Sequence, residues 1–335
     1  MEHKKKLGQF YTTNYKYILQ NLFIPEDVLI IEPFAGKGDL LYFVGNKVVE
    51  CLDIDPQKEN IEQRDTLLNP PVYKNKFVLT NPPYLARNKS KEKVIFDKYD
   101  QNDLYKCFMS GLITNVCIGG ILIIPLNFWC SVRKIDIELR ASFLERYDIL
   151  TINIFEEQVF EDTSYTICSF QFEKKGKTKK RTDCFVYPGN KKIPFELNKA
   201  NNFTIGGEIY NLPQNTSIRV SRLTKNNKDS EYKTNILAKC IDDTNTIGLS
   251  FVKDVYVDMT PKASARSYAT LVIQPKLTIS QQKKLIKRFN DYLHKKRDLY
   301  HSLFLTNYRE KRRKRISFRL VFQIVNYLLD EIGIF

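Results

Sequence analysis

Histidine is scarce in this chain of 335 residues: there are three, His3, His294 and His301. A site built on a histidine cluster is therefore a poor candidate. His294 and His301 are seven apart in a basic stretch, with no acid or cysteine pattern beside them to complete a metal site. Tryptophan occurs once, at Trp129, where it is expected to pack near a sheet end. Cysteine is odd in number, seven, and never forms a CxxC pair. That speaks against a disulfide framework or a zinc site, and for a reducing, intracellular setting such as cytoplasm or nucleoid. Long apolar runs are missing too. The longest, Val116 to Leu126, contains Pro125 and is far short of the roughly 20 residues that span a bilayer. Met1 to Lys6 leads into no apolar stretch, so no signal peptide is expected. No internal repeat is evident. What is present is core material: 43% hydrophobic and 13% aromatic residues, too much for a wholly disordered chain and enough for two domains.

The net charge of +15 is unevenly placed. Residues 1–170 carry 20 Lys/Arg against 23 Asp/Glu, and residues 171–335 carry 33 against 15. The excess thus lies wholly in the second half. A basic half beside a slightly acidic one suggests a module that faces a polyanion. Nucleic acid is favoured over an anionic membrane, because no basic helix rich in exposed Trp or Phe is visible.

The first half alternates apolar runs with helical spacing. Strands are expected at 27–31, 48–52, 76–80, 121–125, 149–155 and 165–172, and helices at 104–116 and ending near 146. This pattern predicts an α/β fold: a Rossmann-like, mainly parallel sheet with an antiparallel hairpin at one edge. A charge run, Lys174 to Arg181, sets the expected boundary between a domain of 1–175 and one of 176–335. In the second half, 280–300 reads as a basic helix and Phe318 to Leu329 as a packing helix.

Three motifs carry chemistry. Glu32-Pro33-Phe34-Ala35-Gly36-Lys37-Gly38-Asp39-Leu40 follows a strand and provides a tight, glycine-based turn that a ligand can approach closely. Leu52-Asp53-Ile54-Asp55-Pro56 ends the next strand. Asp53 lies 21 residues after Glu32, the spacing of the acid that binds a ribose in nucleotide-binding α/β folds. Thr80-Asn81-Pro82-Pro83-Tyr84 ends a third strand. Its prolines fix the backbone and remove N–H donors, leaving acceptors only. The Asn81 side-chain oxygen and the Pro82 carbonyl suit both hydrogens of an exocyclic amine, and Tyr84 suits a planar ring.

In this order the motifs resemble the S-adenosylmethionine-dependent DNA adenine-N6 methyltransferases of the gamma group, enzymes of restriction-modification systems. The resemblance covers residues 7–172. Leu7 to Thr12 resembles that family's N-terminal cofactor motif, with Thr13 where a proline is usual. Arg64 to Leu67 resembles its adenine-binding motif, Gly119 to Trp129 its Gly-Gly strand, and Val159-Phe160 with Asp162 to Phe172 its base-facing loop. The resemblance implies that Tyr11, Thr12, Glu32, Phe34, Gly36 and Gly38 border the methionine end of the cofactor. It implies that Asp53 binds the ribose, that Ile54 lies on the adenine, and that Asp65 and Thr66 hold the adenine edge. Asn81 would border the cofactor as well. Asn81, Pro82, Pro83 and Tyr84 would hold the target base, with Phe160 stacking on it; Phe155 is the rival for that last role. No metal is expected. Duplex DNA is the expected partner, a cognate restriction endonuclease a candidate one, and no membrane is expected.

Two other substrates share the motif: RNA adenine, and the glutamine side chain of a translation release factor. The glutamine enzymes usually carry a helical domain before the cofactor domain, for which the position of Glu32 leaves no room. A DNA-binding protein on a decayed methyltransferase fold is the non-enzyme reading, opposed by the intact Asp53 and Asn81 to Tyr84. Asn88 to Lys93 is expected to be a loop beside DNA. The run Arg309 to Arg315, through Arg309, Arg312, Arg313 and Arg315, is the expected DNA contact.

Overall fold

A computed structural model of the chain describes residues 8, 12–160, 163, 165–176, 181–242, 247–261, 267–299 and 314–333. It divides into two compact units, 1–196 and 197–335. The first is built on β1 (Leu29–Glu32), β2 (Val49–Asp53), β3 (Glu62–Gln63), β4 (Lys76–Thr80), β5 (Gly119–Pro125), β6 (Tyr147–Phe155), β7 (Ile167–Lys174), β8 (Asp183–Tyr187) and β9 (Lys191–Ile193). They form one nine-stranded sheet in the order β3-β2-β1-β4-β5-β7-β6-β8-β9. The strands from β3 to β5 pair in parallel. β7 is antiparallel to both β5 and β6. β8 then pairs in parallel with β6, and β9 returns antiparallel along β8. The β8–β9 hairpin therefore forms the edge, and the β6–β7 pair lies just inside it.

This sheet explains the apolar runs. β5 is buried along its whole length, as strands covered on both faces are. Trp129 is fully buried against Phe128, Phe170 and Phe195. The helix Leu104–Thr114 packs on helices Val94–Tyr99 and Lys134–Arg146. All seven cysteines are buried.

The sequence places the domain boundary at the charge run, 175/176. The structure continues the sheet past it through β8 and β9, and the first unit ends at Glu196. The run separates two strands of one sheet; its composition alone does not distinguish a connection within a domain from a linker between domains.

The chain proceeds outward from β1 to β3, then crosses back to β4 on the other side of β1. Such a reversal opens a crevice beyond the carboxyl ends of the flanking strands, where open α/β sheets bind ligands. Glu32, Asp53 and Thr80-Asn81 stand at those ends. Ahead of β1, the segment from Thr12 to Pro25, with its short helix Tyr15–Ile18, crosses to the far strands. The Asn153 Nδ2 donates to the Gln20 carbonyl at 2.6 Å, and the Phe23 N–H to Gln171 Oε1 at 3.1 Å.

The second unit has a four-stranded antiparallel sheet, ordered β10 (Arg219–Arg222), β14 (Tyr268–Gln274), β11 (Lys233–Lys239), β13 (Gly248–Phe251). Its core joins Ile236, Leu271 and Ile273 of that sheet to helices Ile279–Leu299 and Phe318–Glu331. Leu285, Phe289 and Leu293 come from the first helix; Val321, Ile324 and Leu328 come from the second. Ser317 caps the latter by accepting from the Leu320 N–H at 3.1 Å, a contact worth about 1 kcal/mol. A two-stranded pair, β12 (Ile241–Asp242) with β15 (Lys314–Arg315), completes the unit. Arg309, Arg312 and Arg313 lie outside the described residues, and Arg315 is placed only by its backbone pairing with Ile241.

Candidate active site

The crevice is a cavity of about 410 Å³, within the range of small-molecule sites, about 300–1,000 Å³. It brings together Thr12, Glu32, Phe34, Gly36, Asp53, Ile54, Asp65, Thr66, Asn81 and Pro83. These come from five separate stretches that the sequence marks. Tyr11 lies outside the described residues. Gly38 turns behind the wall, its N–H donating to the Ala35 carbonyl at 2.7 Å.

Asp53 locks the two strand ends to each other. Its Oδ2 accepts the Gly36 N–H at 2.7 Å and its Oδ1 accepts the Asp55 N–H at 2.8 Å. Gly36 has φ +53, a left-handed conformation that glycine adopts without a side-chain penalty. A carboxylate oxygen that accepts one N–H can accept a ligand hydroxyl as well. Asp53→Asn would present an NH₂ group to one of these backbone N–H donors. We expect it to weaken binding of an adenosine-bearing ligand 10- to 100-fold and to lower stability by about 1–3 kcal/mol. Calorimetric titration and a urea melt would measure both; two unchanged values would remove this role.

Glu32 is 1% exposed. Its Oε1 accepts the Phe34 N–H at 3.3 Å and the Thr80 hydroxyl. Its Oε2 is buried in the cavity wall without a hydrogen-bond partner. Burial pushes its acidity constant up to about 8, against the relief given by those two donors. Thr66 donates to the Pro33 carbonyl at 3.0 Å. Asp65 Oδ1 accepts the N–H groups of Leu67 and Leu68, at 3.0 and 2.9 Å, and so fixes the turn that follows.

Asn81 is oriented from both ends. Its Nδ2 donates to Thr12 Oγ1 at 3.1 Å, and its Oδ1 faces the Tyr84 hydroxyl. That hydroxyl also lies 2.8 Å from the Ile123 carbonyl; with one hydrogen it serves one acceptor at a time. Tyr84 is 3% exposed, its ring edge-on to those of Tyr105 and Tyr165. Burial pushes its phenol well above the usual range. Pro82, Tyr84 and Phe160 are absent from the cavity lining. Phe160 is buried, and Gln158 Nε2 donates to its carbonyl at 2.8 Å. Phe155 is a sheet residue, stacked on Tyr187 and tilted against Tyr17.

The backbone of Tyr84 is held by Gly8, whose carbonyl accepts the Tyr84 N–H at 2.9 Å. Gly8 has φ +69, and a Cβ there would lie 2.8 Å from the Tyr84 carbonyl oxygen. Gly8→Ala is therefore expected to displace the Asn81–Tyr84 turn. Turnover should fall at least tenfold with ligand affinity changed less than threefold. Unchanged turnover would show that this contact does not position the turn.

Of the remaining lining, Asp39 and Leu40 close the first motif and Leu67 ends the Arg64–Leu67 stretch, whereas the residues from Leu68 to Leu104 outside Asn81 and Pro83 were not marked by the motifs. Leu67, Leu68, Leu85, Val94, Ile95, Phe96 and Leu104 supply an apolar wall, and Ser90 and Glu92 its rim. The wall forms because the chain after Tyr84 doubles back: the Arg87 N–H donates to the Asn102 carbonyl at 2.9 Å, and the Leu104 N–H to that of Leu85 at 3.2 Å. The loop expected at Asn88 to Lys93 is tied down by Lys93, whose Nζ donates to the carbonyls of Arg87 and Ser90. Among the described residues, no group of three or more His, Cys, Asp or Glu is placed to hold a metal ion. His294 is exposed on its helix.

No protein-family model and no curated protein matches the sequence. Solved structures similar to the chain include a modification subunit assigned to a type I restriction enzyme of Vibrio vulnificus YJ016. It is 15% identical, with a TM-score of 0.42, covering 56% of this chain and 50% of that one. A type I restriction-modification methyltransferase subunit from Streptococcus thermophilus is 16% identical, with a TM-score of 0.41, covering 57% and 51%. The M protein of the type I restriction enzyme EcoKI is 16% identical, with a TM-score of 0.39, covering 67% and 61%. The chain thus spans about half to three fifths of the length of these proteins. At these scores they supply no residue-level correspondence, and the reading below stands on geometry.

Proposed function

We propose that the chain is an S-adenosylmethionine-dependent methyltransferase that acts on the N6 amine of adenine in DNA. One observation carries the cofactor. Five acidic side chains, from Glu32, Asp39, Asp53, Asp65 and Glu92, line the cavity with a single cation, Arg64, among the described residues; Glu32 gives up its proton when a cation comes to lie beside it. Such a wall repels a phosphate-bearing nucleotide and suits a ligand that is cationic and rich in hydroxyls. The unpartnered Glu32 Oε2 suits an ammonium group, Asp53 a pair of ribose hydroxyls, and the wall from Leu67 to Phe96 an adenine ring. S-adenosylmethionine meets all three requirements, and when bound it supplies an activated methyl group that needs no metal to leave.

The chain's own residues do the rest by positioning. Thr12 holds the amide of Asn81 by its nitrogen, so that Oδ1 is the end that accepts hydrogens. Oδ1 and the Pro82 carbonyl accept the two hydrogens of the target amine, which returns its lone pair to nitrogen. Because Tyr84 and Phe160 are buried, the target base enters with a rearrangement that opens their rings for stacking. That contact offsets part of the few kcal/mol needed to unstack a base from a duplex. The basic second unit holds the DNA backbone, and a cognate restriction endonuclease is a candidate partner. Among the described residues, no helix is long and apolar enough to cross a membrane.

Transfer of a tritiated methyl group to duplex DNA, structured RNA and a release factor tests this reading. Label in DNA, recovered as N6-methyladenine, is the expected result. Label in RNA or protein alone would replace the substrate, and label in none would remove the activity.

A further inference from the structure

Helix Ile279–Leu299 of the second unit has two unlike faces. Gln282, Leu285, Phe289 and Leu293 are buried. At about 100° per residue they mark one stripe, which packs into the unit's core. On the opposite side Lys283, Lys284, Lys287, Arg288 and Lys295 are all exposed, together with His294 and two acids, Asp291 and Asp298. No carboxylate among the described residues forms an ion pair with any of those five cations, whereas Lys296, nearer the core, pairs with Glu208 at 3.0 Å. From Lys283 to Lys295 the helix rises about 18 Å.

The face is rigid. Asn290 clasps β13 from both ends of its amide: Oδ1 accepts the Leu249 N–H, and Nδ2 donates to the Leu249 carbonyl, both at 2.9 Å. Gln282 Oε1 accepts the Asn235 N–H of β11 at 2.8 Å. The Lys283 ammonium lies 5.5 Å over the ring of Phe251. These cations are thus mounted on a helix clamped to a sheet.

We propose that this face, through Lys283, Lys284, Lys287, Arg288 and Lys295, binds the phosphate backbone of duplex DNA. The inference rests on the reading that DNA is the substrate. Charge complementarity selects a polyanion. A duplex presents its negative charges at intervals far shorter than this row of cations, so the row meets several phosphates at once. A membrane surface is disfavoured because the apolar stripe of the helix is already buried and leaves nothing to insert. A single strand is disfavoured because none of the exposed residues of this helix is Phe, Tyr or Trp, so the row itself offers no stacking platform.

The test uses the full chain and a fluorescent 30-base-pair duplex, with binding followed by anisotropy from 50 to 300 mM salt. Lys284→Gln/Lys287→Gln/Arg288→Gln alters only exposed positions. It should lose at least tenfold in affinity near 100 mM salt, and its slope of log K against log salt should flatten by about 2–3. Lys47→Gln/Lys74→Gln/Lys134→Gln removes the same charge from the first unit and should bind like the parent. At saturating DNA the helix variant should keep its kcat for methyl transfer and show a raised KM. Equal losses in both variants, or none in the helix variant, would overturn the assignment. So would a loss confined to single-stranded RNA or to vesicles of phosphatidylcholine and phosphatidylserine. If the parent methylates DNA while the helix variant binds and turns over as the parent does, the surface alone is wrong. If the parent neither binds nor methylates DNA, the functional reading fails with it.

Discussion

Asn81→Ala is expected to lower methyl transfer at least a hundredfold while leaving S-adenosylmethionine affinity within about threefold. Asn81 is held by Thr12 at Nδ2 and by the Tyr84 hydroxyl at Oδ1, and it lines the cavity. Removing it takes away one of the two acceptors proposed for the target amine. A preorganised hydrogen bond to a group whose charge changes in the transition state is typically worth about 3 kcal/mol, or a hundredfold. The cofactor wall from Glu32 and Asp53 is untouched. Asn81→Asp keeps an acceptor but adds a charge beside an already acidic cavity, so its turnover should fall between those of the parent and alanine. Single-turnover rates with saturating DNA give the comparison directly. Parent-like turnover in Asn81→Ala would remove Asn81 from the chemistry.

Glu32→Gln is expected to change how stability depends on pH. With its acidity constant pushed up to about 8 by burial, folded Glu32 keeps a proton that the unfolded chain gives up near pH 4.5. Across that window the folded state binds more protons than the unfolded one. The contribution of Glu32 to stability therefore falls as pH rises from about 4.5 to 8 and is level beyond. The fall is on the order of 3–5 kcal/mol. Glutamine does not ionise, so the variant's stability should lack this descent and should gain on the parent above pH 7. A cationic ligand works in the opposite direction, because an ammonium beside Oε2 favours the carboxylate. Parent affinity should therefore rise between pH 6 and 8 with release of a proton, whereas that of Glu32→Gln should be weaker and flat. Urea midpoints from pH 5 to 9, and titrations in buffers of different ionisation heat, measure both. Parallel stability curves would show that Glu32 is already charged in the folded protein.

Much of this site is legible before any coordinates. β4 spans the 76–80 stretch that the apolar run marks, and Glu32, Asp53 and Asn81 stand at the ends of β1, β2 and β4 as their motifs predict. Local chemistry determines such features: a glycine turn, an acid after a strand, prolines that end one. The apolar wall is less legible, because Val94, Ile95, Phe96 and Leu104 reach the cavity only when the chain doubles back at Leu85. Tyr84 is a sharper case. An aromatic beside an amide reads as a ring open to a ligand, yet Tyr105 and Tyr165, both much later in the chain, enclose it. β8 and β9 were hidden behind Lys174 to Arg181, a charge run that lies between two strands of one sheet and does not end the first unit. In the second unit, the tethered helix Ile279–Leu299 carries a cationic face less dense along the chain than the run at Arg309 to Arg315, so composition draws attention to the run, whereas tethering is a property of tertiary contacts.

The strap from Thr12 to Pro25 makes competence a late event in the life of the chain. Thr12 sets the Asn81 amide, but the strap is itself fastened by residues made far later, Asn153, Ser169 and Gln171. Contacts so distant along the chain close slowly, because the intervening loop must first give up its freedom. A ribosome-bound chain that has completed β4 already owns Glu32, Asp53 and Asn81, yet lacks what orients the last of them. The Asn81 amide is thus aligned only once strands β6 and β7 are in place, so under the proposed function an incomplete chain is silent even where its crevice has formed.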